Sequence, residues 1–567
     1  MKSKYSYVID IDGKRKHVHA DHIRKFHSRV NDTVQCNCAI IFESDREFGE
    51  IPTIDAVAMC NSESVEMSSS DVSIHPLSPS NQVLPEQVSH LTDTQRKELF
   101  ELLDMFPECF KEHPGFCPYV EHCINVTPDF KPKRLREYRI PELLKSNVQS
   151  QIDELLRLKF ISPSTSPMAS PVVCVLKGRD KKGGVRLAVD FRYLNSQSQN
   201  DAYVLPHLGD LIQKVGKSRY ISSFDCRSGY WQLGIREADR YLTSFAYDGG
   251  QYEWNRMPFG LRTAGNTFVR CIQIIIQPIR DFCYSFIDDM SVCSDSWEQH
   301  LDHLKRYLTV IREAGLVLHM KKTSFAMSEV KFVGHIIGSG KHRPDPDKLS
   351  AVAGMSRPET KRDVRRIIGF FSYFRSYLPH FAHTSKVLTD LTQKEKPTKV
   401  VWTEVEEKAF QELKRQLCEE CTRIQLYTVD YGKPFGLLVD ASGFAVGSCL
   451  IQWDEEGKER PIAFASAKLA GAQLAWSTIE REAYGVIWAL NKFRTWIFGA
   501  ETTVFCDHNP LTYLTLNSPK SAKLMRWTLS LSEFRLKFKY RKGQNNEVAD
   551  CLSRLGGFET CPTEPVQ

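Results

Sequence analysis

The chain has 567 residues, 42% hydrophobic and 25% charged, a composition that implies several ordinary globular domains in succession and excludes a wholly disordered chain. No apolar run reaches the roughly 18 residues that span a bilayer, and Met1 to Asp12 has no apolar signal core, which sets aside membrane and secretory readings. The 17 cysteines are scattered and odd in number, favouring reduced thiols in an intracellular setting, and the net charge of +6 carries meaning only through its clustering.

From the N-terminus, YSYVIDIDGKRKHVHA alternates across an Asp-Gly turn and predicts a small β fragment over residues 1–30. His17, His19, His22, His27, Cys36 and Cys38 raise zinc, but Cys36-Asn37-Cys38 lacks the two-residue gap of a ligand pair. Residues 31–90 are rich in Ser, Asp and Pro without periodicity and read as a linker. Thr92 or Asp93 caps an amphipathic helix, and Pro141 to Leu158 predicts another, with Leu144, Val148, Ile152, Leu155 and Leu156 at helical spacing. Ser162 to Asn195 reads as two strands around a basic Gly-containing turn.

Tyr220 to Asp225 is an apolar strand ending in one acid, and YSFIDDMSV (Tyr284 to Val292) predicts a tight turn between two buried strands with Asp288 and Asp289 at its tip. Neighbouring like charges in an apolar frame make sense chiefly where a divalent cation neutralises them. Asp225, Asp288 and Asp289 thus form a three-carboxylate set of the kind that holds two Mg2+ ions for nucleotidyl transfer. Leu301 to Gly315 predicts an amphipathic helix, and Asp363 to Leu378 a basic, aromatic one. Basic residues cluster at Lys177, Arg179, Lys181, Lys182, Arg186 and Arg192, at Arg357, Lys361, Arg362, Arg365 and Arg366, and from Lys520 to Lys542, a pattern that suits grip on a phosphate backbone. Val401 to Leu417 reads as a helical tether.

From Lys433 the pattern changes to strands. Asp440 ends an apolar strand, Glu482 lies on the helix STIEREAYGVIWALNKF, Asp507 follows the strand TTVFC, and Asp550 opens or lies on EVADCLSRL. Four carboxylates from such separate elements converge only by tertiary folding and would bind a second pair of Mg2+ ions. Glu480 and Glu482 point in different directions on their helix, being two residues apart.

FDCRSGYWQL, MPFGLRTAGNTF (Met257 to Phe268) and FIDD resemble the A, B and C motifs of the reverse transcriptase of a gypsy-type (Metaviridae) LTR retrotransposon, and the likeness runs from about Leu91 to Leu555. It implies an α/β and α+β multidomain architecture, a right-hand polymerase of fingers, palm and thumb followed by a ribonuclease H-like α/β domain. The expected divisions are an integrase-tail-like fragment at 1–30, a linker at 31–90, fingers and palm at 91–345, thumb and connection at 346–430, ribonuclease H at 431–556, and a tail at 557–567. VHADHIRKF carries the integrase likeness, and with no acidic integrase core beside it suggests a piece of a longer polyprotein.

By motif position the resemblance assigns Lys177 and Arg186 to the incoming nucleotide, and Tyr230 beneath its sugar, where the ring would collide with a ribose 2′-hydroxyl. Phe259 and Gly260 match nucleotide and template contacts, Lys321 or Lys322 the basic residue after the preceding helix, and Phe332, Val333, Gly334 and His335 the primer grip. It matches the catalytic Glu to Glu482. Gly265 stands where the family has Pro, and the mobile His that many ribonucleases H carry before the last Asp has no counterpart in Tyr540 to Asn546. The implied activity is RNA- and DNA-directed DNA synthesis with hybrid RNA degradation, using Mg2+ or in its place Mn2+, an RNA template, a DNA primer, deoxynucleoside triphosphates and an RNA:DNA hybrid. The implied location is a cytoplasmic particle. The rival reading is an inactive element copy, or a host-adopted protein, that binds nucleic acid without turnover.

Overall fold

A computed structural model describes residues 6–11, 14–19, 78–176, 185–201, 203, 206–378, 381–420, 425–506 and 522–541. The zinc candidates at Cys36 and Cys38, most of the 31–90 linker, Lys177, Asp507, Asp550 and the 557–567 tail lie outside the described residues. At the N-terminus β1 (Ser6–Ile11) and β2 (Lys14–His19) pair antiparallel, Ile11 against Lys14, as the Asp-Gly signal implies.

Thr92 is the cap of α1 (Asp93–Asp104), its hydroxyl accepting from the Gln95 amide while Gln95 reaches back to the Thr92 amide. Helix α2 (Glu142–Arg157) buries Val148, Ile152 and Leu155, the face its spacing predicts. Strands β3 (Ser170–Leu176) and β4 (Val185–Val189) pair antiparallel, as expected, with the basic turn 177–184 outside the described residues, and extend a five-stranded sheet through Phe245–Tyr247, Gly250–Trp254 and Ile161–Pro163. Arg186 lies on β4.

The palm follows. Helix α3 (Leu208–Gly216) leads to β5 (Tyr220–Asp225), and after α4 (Ala264–Ile276) come β6 (Cys283–Phe286), β7 (Asp289–Ser294), α5 (Trp297–Glu313) and β8 (Ser324–Met327). The sheet order is β6-β7-β5-β8, with α4 and α5 packed on it. Helix α5 starts four residues before the apolar pattern suggests, because the Ser296 hydroxyl accepts from the Gln299 amide. It is followed by Gly315 at φ +69°, a left-handed value that a side chain there would oppose. Phe224, 1% exposed, packs on Tyr307 with ring centroids 4.6 Å apart; full burial of such a side chain is worth about 2–3 kcal/mol.

Strands β9 (Val330–Phe332), β10 (His335–Gly338) and β11 (Lys341–Pro344) form a second sheet. The chain then passes through α6 (Lys361–Tyr373), α7 (Phe381–Asp390) and α8 (Glu404–Arg415) and returns as β12 (Leu426–Tyr427) on the edge of that sheet. Helix α6 starts two residues and ends five residues earlier than the apolar pattern suggests, because the Thr360–Asp363 capping box fixes its start and a 3-10 turn at Arg375–Tyr377 follows its end. Far from being only a tether, α8 buries Phe410 and Leu413 in a core shared with Phe371 and with Leu438, Cys449 and Phe464 of the last domain.

That last domain is a five-stranded mixed sheet ordered β15-β14-β13-β16-β17, from β13 (Phe435–Ala441), β14 (Ala445–Trp453), β15 (Glu459–Lys468), β16 (Glu501–Cys506) and β17 (Arg535–Tyr540). β13 is antiparallel to β14 and parallel to β16, the latter connection crossing through α9 (Thr478–Lys492). Alternation splits β13 cleanly. Leu437 and Val439 pack toward α9, whereas Leu438 packs toward α6 and α8.

Candidate active sites

Asp289 of β7 is the direct cross-strand partner of Asp225 at the end of β5, and partners of this kind point to the same face. The hairpin pairs Phe286 with Asp289, leaving only Ile287 and Asp288 in the turn. Ile287 has φ +58°, the sign the first central residue of a II′-type turn requires, although a β-branched side chain disfavours it. The acidic tip is therefore held in a costly conformation by the strands beneath it. Asp288 is solvent-accessible at the tip, yet dense protein around it presses its carboxyl upward, and the Asp225 charge adds to that. Burial and then the charges of Asp288 and Asp225 push Asp289 up to about 7.

Opposing this repulsion, the Lys322 ammonium donates to Asp225 Oδ2 at 2.8 Å. Lys322 is in a short 3-10 turn, Met320–Lys322, pinned by the His319 amide donating to the Asp225 carbonyl. Of the two lysines weighed from sequence, Lys322 is the one at the carboxylates. Among the described residues no group of three or more His, Cys, Asp or Glu is gathered tightly enough to enclose a metal. The donor set nonetheless fits a divalent cation, since crowded carboxylates raise one another and already draw one side-chain cation.

Tyr230, on the 3-10 turn Gly229–Gln232 just beyond Asp225, stacks on Phe259 with centroids 5.1 Å apart. An added Cβ at Gly229 would meet Phe268 at 2.7 Å, so glycine is what lets this turn sit against α4. Gly260 has φ +95°; its carbonyl accepts from Asn195 Nδ2 at 2.8 Å, while Asn195 Oδ1 accepts from the Arg262 amide at 2.8 Å. Asn195 thus clamps the Phe259–Gly260 turn. The sequence gives no signal for this beyond an amide near the end of a short helix.

Val333 and Gly334 form the β9–β10 turn, with φ +46° and +77°, and Phe332 is buried in the cluster that also holds Phe286 of the acidic hairpin. Tyr373 of α6 donates to the Val333 carbonyl. His335 is buried rather than presented outward: its Nδ1 lies 3.0 Å from the Tyr377 hydroxyl, which is 2.6 Å from His342 Nδ1. One hydroxyl can donate to one imidazole and accept from the other, so both rings are satisfied while neutral. Burial accordingly holds His335 down at about 3 and His342 at about 4. Gln213 continues the chain of contacts, 3.5 Å from His342 Nε2 and accepting the Val429 amide at 2.7 Å.

Several basic residues are differently engaged from what their clustering suggests. Arg192 is paired with Asp190 at 2.6 Å, Arg366 with Asp363 at 2.6 Å, Arg365 donates to the Thr392 carbonyl, and Arg357 to that of Trp402.

In the last domain Asp440 is 3% exposed on β13 and Glu482 is 2% exposed on α9. An added Cβ at Gly485 would lie 3.3 Å from Val439 and 3.7 Å from Ala441, so this glycine lets α9 approach the strand on either side of Asp440. Glu482, three residues earlier, shares that helix face. Glu480 is occupied with the cap, receiving the Ser477 amide at 3.0 Å. The parallel register sets Phe505 beside Leu438, so β16 ends level with the acidic end of β13.

A palm sheet with an acidic hairpin, followed by a mixed sheet whose central strand and crossing helix carry buried acids, defines a nucleotidyltransferase fold joined to a ribonuclease H-like fold. Residues 176–337 match the family described as reverse transcriptase (RNA-dependent DNA polymerase), and residues 430–534 the RNase H-like domain found in reverse transcriptase. Both families depend in general on divalent metals. The chain is 34% identical over 480 residues to the Pol polyprotein of transposon opus and 33% over 442 residues to that of transposon gypsy, both from Drosophila melanogaster. These alignments cover 82% and 76% of this chain but 47% and 42% of the relatives, so the chain spans about half the length of the curated relatives it matches. It thus resembles the reverse transcriptase and ribonuclease H region of gypsy-type retrotransposon Pol polyproteins. The foamy viral protease-reverse transcriptase solved with dsDNA shares the fold, with a TM-score of 0.68 at 22% identity over 81% of this chain and 96% of that one. The structure of the same viral protein with RNA/DNA hybrid gives 0.62 at 21% identity, covering 85% and 64%. No described helix is long and apolar enough to cross a membrane.

Proposed function

We propose that the chain is an RNA- and DNA-directed DNA polymerase with ribonuclease H activity, copying element RNA into DNA and degrading the RNA strand of the hybrid. The observation that carries it is the register that sets Asp289 against Asp225 with Asp288 beside it at the hairpin tip. In this reading Asp225 and Asp288, with Asp289 beside them, hold two Mg2+ ions, for which Mn2+ can substitute. Those ions supply Lewis-acid activation of a primer 3′-hydroxyl and charge neutralisation at the nucleotide phosphates.

The chain's own residues do the positioning. Lys322 holds the Asp225 carboxylate in place. Tyr230, backed by Phe259, sits under the deoxyribose, and Asn195 keeps the Gly260 turn in shape. Arg186, with Lys177, receives the triphosphate, and the Phe332 to His335 hairpin, braced by Tyr373, steadies the primer end. Asp440 and Glu482, with Asp507 and Asp550, make the second site for a Mg2+ pair and an RNA phosphate. The partners are an RNA template, a DNA primer, an RNA:DNA hybrid and deoxynucleoside triphosphates, which accords with the nucleic acids named for the foamy viral structures.

The test is primer extension on a defined RNA template with Mg2+ or Mn2+ and all four deoxynucleotides, following both strands. Extension with RNA cleavage is expected. A folded protein that binds hybrid but performs neither reaction would overturn the proposal.

A further inference from the structure

The sheet of the ribonuclease H-like domain places a cationic cluster on the same face as Asp440. Asp440 pairs across strands with Gly447, and Gly447 with Ser466, so these three residues form one row on one face. The preceding row on that face, Leu438, Cys449 and Phe464, is the one buried against the helices of the connection. Helix α7 docks at Ser466 itself, the Ala382 amide donating to its hydroxyl at 3.1 Å. Lys468 lies two residues beyond Ser466, hence on the same face, and pairs with Ala445.

The next residues of α7 complete the cluster. The His383 ring lies 4.8 Å from that of Phe444, in the turn that joins β13 to β14, and Lys386 Nζ is 5.7 Å from the same ring. The Leu469 amide donates to the Phe444 carbonyl at 2.8 Å, which ties the end of β15 to that turn. Three cationic or protonatable groups from two domains are thus gathered around one turn. Among the described residues neither Lys386 nor Lys468 makes an ion pair with a carboxylate; Asp390 acts on Lys468 only at longer range. Burial holds the Lys468 ammonium down at about 8, and Lys386 and Lys468 in turn depress His383 after its own burial. Like charges crowded this way are relieved by an anion, for the same reason that the crowded carboxylates of the palm are relieved by a cation.

We infer that His383, Lys386 and Lys468 form a phosphate-backbone site, through which the connection helix holds the RNA:DNA hybrid against the Asp440 face. This rests on the ribonuclease H reading above and adds the residues that seat its substrate. Two strand spacings separate Asp440 from Ser466, about 10 Å, a span that about three phosphates of one strand cover along the helix axis. The ligand chemistry is a phosphodiester backbone, read without base contacts. Phe444 stiffens the site by backing both α7 side chains.

The test uses the full chain and a blunt RNA:DNA hybrid, comparing the unaltered protein with Lys386→Ala/Lys468→Ala and with Lys386→Arg/Lys468→Arg. The slope of log binding constant against log salt is expected to fall by about 1.8 in the alanine pair, two phosphate contacts at about 0.9 each, and to be retained in the arginine pair. The KM for hybrid cleavage should rise several-fold with kcat little changed. An unchanged salt slope and KM in an alanine pair that melts like the unaltered protein would overturn the inference. So would an arginine pair that fails as the alanine pair does, since that would mark a structural role for the lysines. Should the unaltered protein bind hybrid without cleaving it, the nuclease reading fails, and the salt slope alone still decides the cationic site.

Discussion

Lys322 Nζ lies 2.8 Å from Asp225 Oδ2, an ammonium placed against the carboxylate that the proposed metal pair would use. The two side chains remain about a quarter to a third exposed, so the pair is screened and adds modestly to stability. Its greater effect is competition: a divalent ion arriving at Asp225 must displace or share with the lysine. Lys322→Met is therefore expected to bind Mn2+ several-fold more tightly in the absence of nucleic acid, followed by titration calorimetry, while extension slows because Asp225 loses its orienting partner. Unchanged Mn2+ affinity would show that the lysine does not compete.

The two acidic sites stand on separate sheets, so their chemistry should separate. Asp288→Asn is expected to lower primer extension by at least about a thousandfold and leave cleavage of a preformed hybrid within about twofold; Asp440→Asn should do the reverse. Single-turnover assays on both substrates check this. Loss of both reactions from either variant, with the melting temperature unchanged, would contradict two independent sites.

Much of this was legible because it rests on local patterns. Alternation and turn chemistry suffice to predict the β6–β7 hairpin with its acids at the tip, and helical spacing gives the buried face of α2. Helical spacing sets Glu480 and Glu482 in different directions, the family resemblance picks Glu482, and the capping box engages Glu480. Relationships set by packing between distant segments left no such trace. The Tyr377 hydroxyl between His335 and His342 joins residues 35 and 42 positions apart, and the Asp440–Gly447–Ser466 row depends on strand register. Nor did the basic clusters disclose that Arg192, Arg365 and Arg366 also donate to acceptors of the chain itself, an outcome composition does not encode.

Tyr230 stacks on Phe259 and lies 3.4 Å from where a Cβ on Gly265 would be, so its ring has a fixed seat. If it gates the sugar, Tyr230→Ala should raise ribonucleotide incorporation relative to deoxynucleotide by about 10- to 100-fold, the range that steric pocket contacts usually supply. The measurement is the ratio of kcat/KM for a matched ribonucleotide and deoxynucleotide pair. An unchanged ratio would remove Tyr230 from the sugar contact.

Buried neutral histidines set the acid limit of stability. His300, between Ser222 and Ser294 at 2.8 and 2.9 Å, is held by burial at about 3, and His335 and His342 at about 3 and about 4, against 6.5 for an unperturbed ring. Because the unfolded chain binds these protons and the folded one does not, their contribution is intact above pH 6.5 and is lost as pH falls from 6.5 toward about 4 for His342 and about 3 for His300 and His335. Each histidine steepens that loss by about 1.4 kcal/mol per pH unit. Denaturant melts between pH 7.5 and 5 should show it, and His300→Gln should flatten the dependence by one proton.

The Tyr377 hydroxyl contacts His335 and His342 together, where the β9–β10 hairpin, β11 and the end of α6 meet. Tyr377→Phe keeps the ring and its packing but leaves two buried imidazole nitrogens without that hydroxyl, at a cost of about 1–3 kcal/mol. The loss should not stop at stability. His335 follows the Val333–Gly334 turn directly, so a loosened imidazole frees the hairpin proposed to hold the primer end. Extension should then terminate more often after each addition, with the nucleotide KM little changed and hybrid cleavage at the distant site retained. Processivity on a long template, measured with a trap for released enzyme, distinguishes this from general weakening: a variant equally destabilised elsewhere, such as Leu99→Ala in α1, should melt earlier yet keep its processivity at low temperature.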